Sequence, residues 1–222
     1  MIQVVPALLP ESYADILGKV SRVKGIVPRV QLDVADGTYA SSKTWPYNGD
    51  DSHLKEILAQ DEGLPYWDDM DYEVDFLINE PEHAIDTWIQ VGIASAVIHI
   101  ESTQKLDEII KKLKDADIEV GLGIKPSTPI SELVRYIALI DFVQCMGNDD
   151  IGFAGVSLDE RVFKKIKSLR AQFPELPIAV DIGVDDETAP LLVEAGATKL
   201  ISGSMIFGSE DIQDTVTYLQ TL

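Results

Sequence analysis

Cysteine is almost absent. Of 222 residues only Cys145 carries a thiol, which excludes a disulfide framework within the chain. Its apolar neighbours Phe142 and Val143 make it a core residue of a reducing compartment. Basic residues are scarce too: 18 Lys and Arg stand against 38 Asp and Glu, a formal charge of −20. That balance lacks the basic footprint that nucleic acid and anionic membrane surfaces require. It also offers no long-range attraction to an anionic substrate, so a phosphate has to be gripped at short range by backbone donors. There is no run of 18 apolar residues, and the opening MIQVVPALLPES lacks the basic start of a secretory signal. The expectation is a soluble, cytoplasmic protein. At this length a chain buries roughly 70% of its unfolded surface and needs no structural metal.

What is present is alternation. Eight short apolar runs interleave with helical patterns along the whole chain. Strands are expected at Gln3–Leu9, Arg29–Val34, Tyr72–Ile78, Ser95–Ile100, Glu119–Ile124, Phe142–Met146, Ile178–Asp181 and Lys199–Ser202. Helices are expected after Ser12 as an N-cap, over Pro81–Gly92, Leu106–Asp115, Leu158–Phe173 and Glu187–Ala195 (ended by Gly196), and over Asp211–Leu222. The stretch Thr38–Asp71 is irregular, with one helical piece near His53–Ala59 and two tryptophans, Trp45 and Trp67. A long connection of that kind is often a lid or binding loop. Its acidic cluster (Asp61, Glu62, Asp68, Asp69, Asp71) reads as a solvated face, and His83 as a helix-surface residue. Eight βα units over residues 1–222 predict a single (β/α)8 barrel of the TIM type, with no linker or second domain.

In such a barrel the site is built at the C-terminal strand ends. There the second strand gives Gln31-Leu32-Asp33-Val34-Ala35-Asp36-Gly37, two carboxylates three apart closing on a glycine. A strand-end turn would also use Asp and Gly. Asp75 lies in the third strand, and His99 and Glu101 lie two apart at the end of the fourth. Asp181 follows Ile178-Ala179-Val180, where an unpaired carboxylate is costly to bury. Glycine-rich turns follow strands six to eight: Gly152-Phe153-Ala154-Gly155, Ile182-Gly183-Val184 and Ser202-Gly203-Ser204. Their order and position suit a phosphate held by backbone N–H groups of Gly152, Gly155, Gly183, Gly203 and Ser204.

These pieces, with Val5-Pro6-Ala7-Leu8-Leu9, Ile98-His99-Ile100-Glu101 and Gly121-Leu122-Gly123-Ile124-Lys125-Pro126, resemble the ribulose-phosphate 3-epimerases over essentially the whole length. The resemblance implies a phosphorylated ketose as substrate, two aspartates that move a proton next to the ketone from opposite faces, and a divalent metal between them. It also implies a homo-oligomer. On matching positions the bases are Asp33 and Asp181, and the metal ligands Gln31, Asp33, Asp75 and Asp181. The family's His-x-Asp-x-Met-Asp-Gly has become Gln31-x-Asp33-x-Ala35-Asp36-Gly37, and its third-strand His-Leu-Met has become Asp75-Phe76-Leu77. Both imidazole ligands are therefore replaced. An all-oxygen ligand set moves the expected ion from zinc to a hard cation such as magnesium or manganese; the alternative is that Gln31 and Asp75 hydrogen-bond to each other and close a metal-free pocket. The alternative function is a sugar-phosphate-binding barrel that has lost catalysis. A lysine-dependent decarboxylase is disfavoured, because Asp33-Val34-Ala35-Asp36 holds no lysine and Lys125 belongs to the epimerase pattern.

Overall fold

A computed structural model describes all 222 residues. Eight parallel strands close on themselves in chain order: β1 (Gln3–Leu8), β2 (Arg29–Ala35), β3 (Asp71–Leu77), β4 (Ser95–His99), β5 (Glu119–Ile124), β6 (Phe142–Met146), β7 (Ile178–Asp181) and β8 (Lys199–Ser202). Around them lie α1 (Tyr13–Val23), α2 (Ser52–Leu58), α3 (Ile85–Val91), α4 (Leu106–Asp115), α5 (Arg161–Gln172), α6 (Thr188–Ala195), α7 (Ser204–Gly208) and α8 (Ile212–Gln220). The TIM-barrel architecture is the expected one. No helix is long and apolar enough to cross a membrane.

Period-two alternation divides each strand between two environments. On β2, Val30, Leu32 and Val34 join the large apolar core between strands and helices, while Gln31, Asp33 and Ala35 turn into the barrel. The barrel interior is filled by a small apolar cluster (Val5, Val97, Phe142, Ala179, Ile201) and by an unusual number of buried polar side chains. Register places Gln31 beside Glu73 and Asp33 beside Asp75 across β2 and β3, and Met146 beside Asp181 across β6 and β7. The two glycines of β5 face inward and are needed for space. A methyl on Gly121 would stand 2.3 Å from the Phe142 ring, and one on Gly123 would stand 2.8 Å from the His99 ring.

Ser12 caps α1 as expected, accepting from the Asp15 amide at 3.1 Å. Between β5 and β6 there is no α-helix, only 3-10 turns at Ile130–Glu132 and Val134–Leu139, because Pro126 and Pro129 break the amide ladder where a helix would start. The helix expected from Pro81 begins as a 3-10 turn and becomes α-helical only at Ile85, before ending at Gly92 in the left-handed conformation. The long connection after β2 is anchored: Trp45 is fully buried against Tyr13 and Trp88, while Trp67 is exposed. Cys145 is buried, and burial pushes its thiol up to about 12. His83 is exposed, as expected.

Candidate active site

A cavity of about 640 Å³ opens at the C-terminal ends of β1, β7 and β8. Asp33 and Asp181 both line it, together with Ala7, Ile201 and all five residues expected to hold phosphate: Gly152, Gly155, Gly183, Gly203 and Ser204. The two candidate bases and the glycine turns, far apart in the chain, thus share one chamber.

The turn after β7 carries local strain. Ile182, a β-branched residue, sits at φ +74, and Gly183 follows at φ +70. A Cβ on Gly183 would lie 2.7 Å from the backbone nitrogen of Leu158, and one on Gly203 would lie 2.8 Å from the carbonyl of Ala7. Glycine at these two positions is therefore demanded by the protein's own packing, independently of any anion. The mouth over β2, β3 and β6 is closed by an apolar cluster of Ala35, Ala40, Leu77, Met146 and Ile151, with Tyr39 and Ile182 against it. Here the loop after β6 meets the loop after β2 closely enough that a methyl on Gly152 would stand 2.4 Å from the Ser42 hydroxyl.

Burial and mutual repulsion set the charge of the site. Asp33 is raised well above the ordinary carboxylate range by loss of solvent, then by the neighbouring charges of Asp181 and Asp75. Its Oδ1 is buried with no protein partner. Asp181 is pushed up to about 7, again by burial first and Asp75 second. Burial and the neighbouring carboxylates thus hold both groups toward their protonated forms.

Gln31 and Asp75 do not line the cavity; both are fully buried. Asp75 is engaged at both oxygens: Oδ1 pairs with His99 Nε2 at 2.9 Å, and Oδ2 accepts from Gln144 Nε2 at 2.9 Å. Burial alone would lower His99, but Asp75 outweighs it and the imidazole is raised. Gln31 donates through Nε2 to Glu73 and to Gln144, each at 2.9 Å. The only three imidazole, thiol or carboxylate ligand atoms in the protein that lie within 4.8 Å of one another belong to His53, Glu56 and Glu62, on the connection after β2. The oxygens of Asp33, Asp75 and Asp181 do not converge in that way, so the four expected ligands do not form a metal centre as they stand.

Gln144 is the residue that the sequence pattern passed over. It hides in Phe142-Val143-Gln144-Cys145-Met146, yet it bridges Gln31 to Asp75. A fully buried glutamine in an apolar strand is itself the missed signal, since such an amide is costly without partners. Glu101 lies just past β4 and orders the neighbouring loops, accepting from Tyr39 Oη at 2.9 Å, the Lys125 amide at 3.0 Å and Thr128 Oγ1 at 2.6 Å.

Residues 3–207 match the Ribulose-phosphate 3 epimerase family. The chain is 27% identical to the ribulose-phosphate 3-epimerase of Bacillus subtilis (strain 168), over 99% of each chain. It is 28% identical to the chloroplastic ribulose-5-phosphate-3-epimerase of Arabidopsis thaliana, over 97% of this chain and 75% of that one. Among solved structures, the 3-hexulose-6-phosphate synthase from Salmonella typhimurium superposes with a TM-score of 0.73 at 14% identity, over 99% of each chain. At that identity the likeness speaks for the fold. With the family match spanning nearly all of a barrel whose paired aspartates and glycine turns share one cavity, the chain belongs to the ribulose-phosphate 3-epimerase family, whose named members are isomerases.

Proposed function

We propose that this protein epimerises ribulose 5-phosphate at C3, with Asp33 and Asp181 as the two proton-transfer groups. The observation that supports this most strongly is that these two buried carboxylates open onto the same cavity as the glycine turns after β6, β7 and β8. Backbone N–H groups at Gly183, Gly203 and Ser204 hold the phosphate, which suits a chain whose net charge of −20 provides no long-range pull. The sugar then extends inward, with C3 between the two carboxylates.

The raised pKa values of the pair give the reaction its charge balance. One carboxyl starts ionised and the other protonated. The ionised carboxylate takes the C3 proton, and the C–H electron pair becomes the enediolate double bond as the ketone oxygen takes up the charge. The protonated carboxyl of the other aspartate then delivers its proton to the opposite face of C3. The reverse direction uses the same groups with their states exchanged. The reacting centre carries one negative charge throughout, because both carboxyls are neutral when the enediolate exists. Such positioned acid–base groups are each worth about 10²–10⁴ in rate.

The test is conversion of ribulose 5-phosphate to xylulose 5-phosphate by purified protein, followed by NMR. We expect turnover by the wild type and a loss of about 10³-fold or more in Asp33→Asn, with ligand binding retained. Binding of ribulose 5-phosphate without conversion by the wild type would favour the alternative of a binding protein that no longer catalyses.

A further inference from the structure

We propose that the positions which would complete a metal centre have been taken over by an internal hydrogen-bond chain organised by Gln144, and that the barrel works without a bound metal ion. This inference rests on the epimerase reading only for its activity arm.

The chain of contacts runs through the barrel without a break. Lys199 on β8 contacts both oxygens of Glu73, at 2.7 and 2.5 Å. Glu73 Oε1 accepts from Gln31 Nε2, and Gln31 Nε2 also reaches Gln144 Oε1. Gln144 Nε2 donates to Asp75 Oδ2, and Asp75 Oδ1 pairs with His99 Nε2. Ser95 Oγ donates to the remaining oxygen of Glu73 at 2.9 Å.

Gln144 gives this chain its direction. Its carbonyl can only accept, and it faces the Gln31 amide nitrogen; its own nitrogen can only donate, and it faces Asp75. Flipping the amide would set donor against donor at Gln31 and acceptor against acceptor at Asp75. Asp75 is thereby held on two sides, by Gln144 and by His99, whose ring occupies the space that Gly123 leaves. Turning Asp75 toward an ion in the cavity would strip partners from two fully buried groups, the Gln144 amide and the His99 imidazole. Gln31 keeps one unpartnered atom, Oε1, but its amide nitrogen is tied to Glu73 and Gln144 and the residue does not face the cavity. Asp33 and Asp181 remain on the cavity wall, and two carboxylates are half the ligands that the family site would supply.

The proposal is tested by binding of the metal alone, which does not depend on turnover. Protein stripped with EDTA is titrated with Mn²⁺, with free ion followed by EPR, and with Zn²⁺ by calorimetry. His53→Ala is run in parallel to remove the surface group of His53, Glu56 and Glu62. We expect no stoichiometric site tighter than about 10 µM in His53→Ala for either ion. The double variant Gln31→His/Asp75→His should gain a zinc site, because imidazole nitrogen restores the ligand type that zinc prefers. Turnover of ribulose 5-phosphate should change less than twofold between EDTA and added Mn²⁺. A stoichiometric site in His53→Ala that disappears on further replacement of Asp33 by Asn would overturn the proposal, as would loss of turnover on chelation and its return with Mn²⁺. If ribulose 5-phosphate is not turned over under any condition, the epimerase reading fails and the metal titrations still decide this one.

Discussion

Asp181→Asn should abolish turnover while making the folded protein more stable above neutral pH. The two effects share one cause. Burial, and after it the neighbouring Asp75, pushes Asp181 up from an ordinary 3.8 to about 7 in the folded chain. Below pH 3.8 both states carry the proton and the burial of Asp181 costs no ionisation energy. Between pH 4 and 7 the unfolded chain releases a proton that the folded chain keeps, so stability falls as pH rises. Above 7 both are ionised and the full cost of a buried charge remains. Asparagine has nearly the same shape and no charge. At pH 8 the variant should gain about 2 to 4 kcal/mol in urea unfolding, shrinking toward zero near pH 4. Turnover should fall about 10³-fold or more. A variant destabilised equally at both pH values would show that Asp181 is an ordinary structural partner.

The opposite sign is expected at the other end of the barrel. Lys199→Met leaves Glu73, which is completely buried, without its closest cation. Arg29 remains 3.7 Å away but is committed to Glu119. Removing one partner of a buried ion pair costs about 3 to 5 kcal/mol, because the remaining charge has neither water nor a counter-ion. Lys199→Met/Glu73→Leu should recover much of that loss, since no buried charge is then left alone. Ser95 and Gln31 would still lose an acceptor, so recovery is incomplete. Urea unfolding of the two variants checks this. A loss under about 1 kcal/mol for Lys199→Met would mean that Glu73 keeps water or Arg29 as its partner in the variant.

The readable parts of this fold were those where a local rule and the global pattern agree. The strands from Glu119, Phe142, Ile178 and Lys199 and the helix Leu106–Asp115 end where the sequence pattern ends them. Each is a clean apolar run or amphipathic stripe bounded by turn residues. The region from Lys125 to Ile140 was harder. Its prolines and its apolar residues pull in opposite directions, and short 3-10 turns are the outcome. In the cavity wall, Asp33 was legible from its place at the end of β2, and Asp181 because a carboxylate in an apolar strand is costly to bury unpaired. The same argument applies to Glu73, Gln144 and Lys199, which lie in equally buried strands. What single-strand patterns do not convey is that these residues, from β3, β6 and β8, meet inside the closed barrel. That meeting depends on strand register and on the space left by Gly121 and Gly123. Hence Gln31 and Asp75 stand where the resemblance implies metal ligands, while in the folded chain they belong to a hydrogen-bond chain.

Asp33 and Asp181 are expected to exchange protons with C3 of a ketose phosphate from opposite faces. The most direct measurement is incubation of ribulose 5-phosphate with the wild-type protein in D₂O, with the products resolved by NMR. The expected product is xylulose 5-phosphate carrying deuterium at C3, because the substrate proton stays on one carboxyl while the other supplies a solvent-derived one. Product that keeps its original hydrogen at C3, or substrate that binds and returns unchanged and unlabelled, would contradict it.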